Sequence, residues 1–206
     1  VNTAEIGELL RPYIHLDGMQ LEQTLAYINL LVQWNARVNL TSVRREEDIV
    51  TRHFGESFFA AEKLLNSEKT RTAIDLGSGA GFPGLPLAML APEVQVTLIE
   101  SQGKKAAFLN EVIRALDLKN VTVFKDRGEE YAGKADLVTM RAVEKFGKAA
   151  ELASHLLTPG GRLALMIGES QLSGAQALKG LSWQPPIPVP GGESRILLVG
   201  ISLHIG

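Results

Sequence analysis

The ten residues Asp75-Leu76-Gly77-Ser78-Gly79-Ala80-Gly81-Phe82-Pro83-Gly84 follow the short apolar run Thr72-Ala73-Ile74, and they leave few folds open to the chain. Glycines take positive φ without steric cost and let a ligand approach bare backbone. A proline placed after them starts a helix without losing a needed N–H. A strand that enters such a loop and leaves it as a helix is a nucleotide-binding elbow. Val94 to Ile99 reads as the next parallel strand, and Glu100 at its carboxyl end is placed to accept hydrogen bonds from both hydroxyls of a ribose.

Two cofactors suit this elbow. Gly79-x-Gly81-x-x-Gly84, with Glu100 at about the ribose-binding distance, matches a dinucleotide fingerprint. Asp75, two residues before Gly77, favours the other choice. A carboxylate at the mouth of the loop attracts the ammonium of an amino acid and repels a pyrophosphate. S-adenosylmethionine carries that ammonium and a sulfonium, and it has no phosphate, so Asp-x-Gly-x-Gly-x-Gly points to the methyl donor. The competing structural reading is a glycine-rich turn that serves only strand-to-helix geometry.

A chain of 206 residues, 45% of them hydrophobic, can bury one sizeable core and still carry a modest appendage. The absence of cysteine excludes a disulfide framework, a Cys-ligated zinc site and a thiolate nucleophile, and so excludes methylation at pyrimidine C5 through a thiolate adduct. No run approaches the ~20 apolar residues of a membrane span, and the first residues lack the basic-then-apolar order of a signal peptide; a cytoplasmic location is expected. A net charge of −2 does not announce a nucleic-acid binder, so any RNA must be held by local patches. No metal site is expected.

The first 70 residues read as helical. Ile6, Leu9, Leu10, Tyr13 and Ile14 recur at helical spacing, as do Leu21, Leu25, Ile28, Leu31 and Val32, and a third helix from about Glu46 to Leu65 carries Ile49, Phe54, Phe58 and Ala61 on one side. We expect residues 1–70 to form a cap packed on a core of residues 71–206. From Arg71 the rhythm changes to short apolar strands alternating with helices, which argues a mainly parallel sheet with helices on both faces. Pro185, Pro186, Pro188, Pro190, Gly191 and Gly192 break that pattern before Ile196 to Leu203, which is expected to end the sheet as an antiparallel hairpin.

In an open parallel sheet, ligands sit beyond the carboxyl ends of the strands, where the strand order reverses. Asp75 and the glycines, Glu100, then Asp126-Arg127-Gly128-Glu129, then Arg141 all fall there. Asp126 or Glu129 can instead cap the short helix after the third strand. Arg141 ends the apolar run Leu137 to Met140 and needs a buried partner such as Asp75, a pairing compatible with a ligand role.

Further motifs carry a resemblance. Trp34-Asn35 with Val38-Asn39-Leu40-Thr41-Ser42-Val43, Arg52-His53 with Ser57, Asp75 through Gly84, Glu100-Ser101 with Lys104-Lys105 and Phe108-Leu109, Arg127-Gly128-Glu129-Glu130, and Arg141-Ala142 together make the chain similar to the glucose-inhibited division protein B family. Those proteins are bacterial methyltransferases acting on a guanine N7 of small-subunit (16S) ribosomal RNA. The similarity runs nearly the whole length and weakens after about Gly168. Asn39-Leu40-Thr41, Arg52-His53 and Gly81-Phe82-Pro83-Gly84 are particular to this family, whereas the elbow is common to many methyltransferases.

The resemblance implies a class I S-adenosylmethionine-dependent methyltransferase with a Rossmann-like fold. The donor is expected on Asp75, Gly77, Ser78, Gly79, Gly81, Phe82, Glu100, Gly128, Glu129 and Arg141, with Glu100 at the ribose, Gly128 and Glu129 near the adenine, and Arg141 beside the methionine portion. Arg127 and Arg141 are candidates for positioning the reactants, and no general base is assigned. Arg44, Arg45, Arg52, His53, Lys104 and Lys105 are the candidate RNA contacts, with Lys145 and Lys148 as further cations. The partner is 16S ribosomal RNA or a small-subunit particle, met by a monomer away from any membrane. One departure stands out: the family usually has a lysine just before the glycine that ends the fifth strand, where this chain has Ile167-Gly168. A small-molecule methyltransferase and a non-catalytic nucleotide-binding regulatory module are the alternatives.

Overall fold

The structure, a computed structural model, describes residues 1–65, 70–141 and 146–203. Its first two helices, Thr3–Leu10 (α1) and Gly18–Asn35 (α2), are each started by a side chain that accepts from the backbone three residues on. Asn2 and Glu5 exchange such bonds at 3.0 and 2.8 Å, and Asp17 and Gln20 do so at 2.8 and 3.0 Å. These capping boxes satisfy N–H groups that a helix start leaves without partners. In α2 the face turned inward is Thr24, Tyr27, Ile28 and Leu31. Val32, expected in the buried stripe, is 41% exposed.

The third helical stretch is continuous but not uniform. Glu46–Ile49 (α3) passes through a π-helical turn, Val50–Gly55, into Glu56–Leu65 (α4). Ile49 and Phe54 are five residues apart, one more than an α-helical face allows, and the wider turn brings both into the core with Phe58 and Ala61.

Strand and helix then alternate: Thr72–Leu76 (β1), Gly84–Leu90 (α5), Gln95–Ile99 (β2), Gly103–Ala115 (α6), Val121–Phe124 (β3), a 3₁₀ turn at Gly128–Glu130, Ala135–Arg141 (β4), Phe146–His155 (α7) and Leu157–Gly168 (β5). Leu172–Gln176 (α8), Leu181–Trp183 (β6), Ile187–Pro188 (β7) and Arg195–Ser202 (β8) complete the described chain. The sheet runs β3-β2-β1-β4-β5-β8-β6, with β7 also on β8. The first five strands pair in parallel, and β8 enters antiparallel between β5 and β6. The tail ends the sheet with antiparallel pairing, β7 and β8 forming a hairpin across the Pro/Gly turn, and β8 lies inside the sheet between β5 and β6. The strand order reverses between β1 and β4, which puts the crevice beside the glycine elbow.

Each face of the sheet has its own core. Ala150 and Ala153 of α7 and Ala175 of α8 cover one face with Ile74, Val138 and Leu165. The other face meets α5 and α6 and also the helices before β1, so Tyr27, Ile28, Phe54 and Phe58 share one apolar cluster with Leu85, Leu98 and Phe108. No helix among the described residues is long and apolar enough to cross a membrane.

Tyr27 places a polar group in the core from α2. It is fully buried, and its hydroxyl donates to the Ala80 carbonyl inside the elbow. Burial pushes its phenol well above the ordinary value, with Asp75 adding to the effect, so it stays a neutral donor. Tyr27→Phe leaves the Ala80 carbonyl without this partner, and urea unfolding should show a loss of about 1–3 kcal/mol. An unchanged unfolding midpoint would show that the bond does not hold the cap.

Candidate functional site

The elbow between β1 and α5 is held by carboxylates. Asp75 accepts from the Thr139 hydroxyl at 2.7 Å through Oδ1 and from the Gly84 N–H at 3.3 Å through Oδ2, while its carbonyl accepts from Ser78 Oγ at 2.9 Å. Glu100 accepts from the Gly79 N–H at 2.9 Å through Oε2 and from the Gln102 N–H at 2.8 Å through Oε1. Gly77, Gly79 and Gly81 have φ of 72°, 57° and 91°, a region that side chains with a Cβ rarely enter.

Asp75 departs from its expected position. Its side chain lies beneath the loop, 1% exposed, and not at the mouth. The cause is its place in a strand covered on both faces, where Gly84 and Thr139 supply the donors a buried carboxylate needs. Burial pushes its pKa up to about 6, against the hydrogen bonds from Thr139, Ser78 and Gly84. It fixes the shape of the loop.

A cleft of about 470 Å³ opens beside the elbow, with Gly77, Glu100, Arg127, Gly128 and Glu129 among its walls. Glu100 is 6% exposed and still has lone pairs beyond its two backbone bonds. A Cβ built on Gly79 meets only the Gly77 carbonyl, at 3.8 Å, so the space over this residue is open. Asp126 spends Oδ1 on the Arg127 N–H at 2.7 Å, and no side chain caps the 3₁₀ turn that follows. The cleft matches an adenosine: a carboxylate where β2 ends, bare glycine backbone on two sides, and apolar surface from Leu76, Ile99 and Leu152. A larger hollow of about 860 Å³ lies against α1, and none of the expected site residues lines it.

Other expected donor residues face inward. A Cβ on Gly81 would run into Tyr27 and Leu85, so this glycine is required by packing. Ser78 is buried on Asp75. The Phe82 ring is stacked between Tyr27, at 5.3 Å and 2°, and His53, at 5.1 Å and 24°, with Phe54 edge-on at 5.0 Å.

Arg141 is not paired with Asp75. Its guanidinium donates to the Arg52 carbonyl at 2.6 Å, the Ser57 hydroxyl at 3.3 Å and Glu56 Oε2 at 3.1 Å, with the His53 carbonyl at 3.5 Å. The π turn spaces its carbonyls to meet that planar fork, and Glu56, 2% exposed, supplies the counter-charge. Arg195 closes on the other oxygen of Glu56, Nε to Oε1 at 2.7 Å. Burial raises the Glu56 carboxyl above its ordinary value, and Arg141, Arg195 and Arg52 pull it back.

His53 also takes a structural place. Its Nε2 meets Thr41 Oγ1 at 2.7 Å, and burial, followed by the nearby Arg141, Arg52 and Arg195, lowers its pKa to about 3. A half-buried, neutral ring held between Phe82 and Thr41 has a structural partner of its own. Arg44, Arg45, Arg52 and Lys104 are exposed, and Lys105 is half-buried. Arg45 sits 3.6 Å from Glu47 in a solvent-screened pair. Ile167, where a lysine was expected, is buried opposite Ile196 on β8. Ala142 and Lys145 lie outside the described residues. Among the described residues no group of three His, Cys, Asp or Glu is arranged to hold a metal.

Four contributors went unnoticed in the sequence. Tyr27 was hidden among apolar neighbours, Thr139 inside a strand, and Glu56 and Arg195 far from Arg141 along the chain. The helical spacing of Thr24, Tyr27, Ile28 and Leu31 was the available signal for the first.

Comparison with known proteins adds to this geometry. Residues 20–181 match the model of the family described as rRNA small subunit methyltransferase G. The chain is 42% identical over 200 residues to a ribosomal RNA small subunit methyltransferase G of Roseiflexus castenholzii, spanning 90% of this chain and 85% of that one. In structure it resembles a ribosomal protein L11 methylase of Lactobacillus delbrueckii subsp. bulgaricus, with TM-score 0.62, 16% identity, and coverage of 74% and 79% of the two chains. A SAM-dependent methyltransferase of Aquifex aeolicus gives TM-score 0.55 at 20% identity, with coverage of 71% and 90%.

The two elbow glycines should fail in different ways. Gly79→Val places its side chain in open space at an unfavourable φ of 57°, and calorimetry should find S-adenosylmethionine binding abolished in a folded protein. Gly84→Val drives a Cβ to 2.5 Å from Leu98 and 2.7 Å from Asp75, and should lower the melting temperature sharply. Normal donor binding by Gly79→Val would remove the elbow from the site.

Acid stability should separate His53 from Asp75. His53 is held below its ordinary 6.5, so its contribution is full above that pH and drains as pH falls toward 3. Asp75 is raised from 3.8 to about 6, so its contribution is full below 3.8 and drains as pH rises through 6. Relative to wild type, His53→Gln should gain stability from pH 6 to 4, and Asp75→Asn should lose it, each by at most about 1.4 kcal/mol per pH unit. Urea midpoints across that range check both signs, and parallel curves for the three proteins would contradict the burial of these groups.

Proposed function

The chain belongs to the rRNA small subunit methyltransferase G family, and on that premise we propose that it transfers a methyl group from S-adenosylmethionine to N7 of a guanine in the small-subunit (16S) ribosomal RNA. The observation that carries the reading is the cleft between the elbow and the 3₁₀ turn, where Glu100 stands beside open glycine backbone. Glu100 would hold the ribose hydroxyls, and the backbone at Gly77 and Gly128 would flank the nucleoside. Bound S-adenosylmethionine supplies an electrophilic methyl group on its sulfonium.

The remaining work is positional. Guanine N7 presents a lone pair and carries no proton, so the protein needs to align it and exclude water, without an obligatory general base. The site fits this demand. His53 is neutral far below physiological pH and packed in a stack, and Asp75 is buried beneath the loop. Arg127, on the cleft wall, would position reactants, while Arg141 holds the turn before α4 against the end of β4. The exposed Arg44, Arg45, Arg52, Lys104 and Lys105 would touch phosphates, which fixes the RNA's position without reading its sequence. We propose further that the protein acts in the cytoplasm as a monomer, with residues 1–70 serving as the cap over a core of residues 71–206.

Purified protein given labelled S-adenosylmethionine and undermethylated small-subunit particles should label one guanine at N7. Transfer into a metabolite mixture and not into particles would replace this reading with a small-molecule methyltransferase, and donor binding without transfer would replace it with a regulatory module. Single-turnover rates should show no essential basic limb between about pH 6 and 9, where an ordinary histidine or a raised carboxylate would titrate. A single-proton loss of rate that His53→Gln removes would contradict the positional account.

A further inference from the structure

We propose that the hollow between the end of α2 and the start of α6 holds one unpaired nucleotide of the RNA, its base stacked on Trp34 and its phosphate between Arg37 and Lys104. The proposal rests on the reading that ribosomal RNA is the substrate, and it assigns a recognition subsite apart from the donor cleft. The hollow measures about 300 Å³ and is lined by Gln33, Trp34, Arg37, Val38 and Lys104. One aromatic ring, two cations and no carboxylate is the combination that binds single-stranded nucleic acid, because every base offers a π face and every linkage a negative charge.

The lining is built to hold its shape. The Trp34 ring meets the fully buried Phe108 at 5.8 Å and 61°, which fixes the indole against the core while it lines the hollow. The loop that carries Arg37 and Val38 is closed by Asn35, whose Oδ1 accepts from the Leu40 and Thr41 N–H groups at 2.9 and 3.0 Å. Its Nδ2 donates to the Thr41 carbonyl at 3.0 Å. Thr41 in turn meets His53. A platform ordered before binding avoids the entropy of ordering it on the ligand.

The charge has no internal use. Among the described residues neither Arg37 nor Lys104 forms an ion pair. Lys104 also sits in the first turn of α6, where a cation opposes the helix dipole. An acidic peptide would satisfy the charges and leave Trp34 without a partner, so RNA is the occupant the lining favours.

The subsite is tied to the reaction centre. Phe108 packs on Tyr27 at 6.2 Å, and Tyr27 holds the Ala80 carbonyl in the elbow. Lys104 follows Glu100, the carboxylate bonded to the Gly79 N–H, by four residues. A nucleotide anchored here would hold its strand beside the elbow.

The chain has two tryptophans, so Trp183→Phe leaves Trp34 as the sole indole reporter. Adding a ten-nucleotide single-stranded RNA should quench its fluorescence, and Arg37→Gln with Lys104→Gln should weaken that binding and flatten its dependence on salt. In methylation of undermethylated particles, Trp34→Leu should raise the KM for particles about tenfold, leave the affinity for S-adenosylmethionine unchanged, and be partly rescued by Trp34→Phe. No quenching by RNA, equal quenching by a polyglutamate peptide, or an unchanged KM would overturn the subsite. Because wild-type protein labels particles in the same assay, failure of the subsite is distinct from failure of the ribosomal reading.

Discussion

Two buried carboxylates set the geometry on which everything else rests. The chain must turn from β1 into α5 within a few residues, and the turn leaves backbone N–H groups pointing inward. Asp75 takes the Gly84 N–H and Glu100 takes that of Gly79, while the other oxygen of Glu100 takes the Gln102 N–H in the loop after β2. A buried donor left without an acceptor costs about 1–3 kcal/mol, and the Gly84 N–H is such a donor, so Asp75 helps determine the path of the loop. The glycines permit that path, since Gly77, Gly79 and Gly81 all take positive φ. The bare backbone over Gly79 is thus a consequence of how the strand is closed.

The helices before β1 are part of the same construction. Tyr27 reaches from α2 into the elbow, Phe82 returns from the elbow into the cap, and His53 covers Phe82 from the π turn. Arg141 fastens the end of β4 to that turn through two carbonyls and Glu56. The charged part of this arrangement stays compatible with burial because one carboxylate faces two arginines. The same ordering extends to the segment that carries Trp34, through Asn35, Thr41 and His53.

Local structure was legible in the sequence, and distant partnership was not. The elbow and Glu100 could be read because spacing within a few residues fixes strand, loop and helix. The parallel sheet could be read because its alternation of short apolar runs and helices has few solutions. Asp75 could be found but not aimed: between Ile74 and Leu76 in a strand covered on both faces, period-two alternation carries no direction. Arg141 was known to need a carboxylate, yet the one it takes is 85 residues away, and only the packed fold selects it. Tyr27 was passed over because an apolar stripe can be drawn along more than one line of a helix. His53 reads in the sequence as a satisfied structural histidine or as one cation of a cluster with Arg52, and its bond to Thr41 and its stack on Phe82 give it a structural place.

The central claim is that the elbow is shaped by its own buried acceptors before any donor arrives. Amide hydrogen exchange on the ligand-free protein tests it most directly. The account predicts that the Gly79 and Gly84 N–H groups are strongly protected without S-adenosylmethionine and change little when it is added. Exchange at the rate of an open loop, slowed only by the donor, would contradict it.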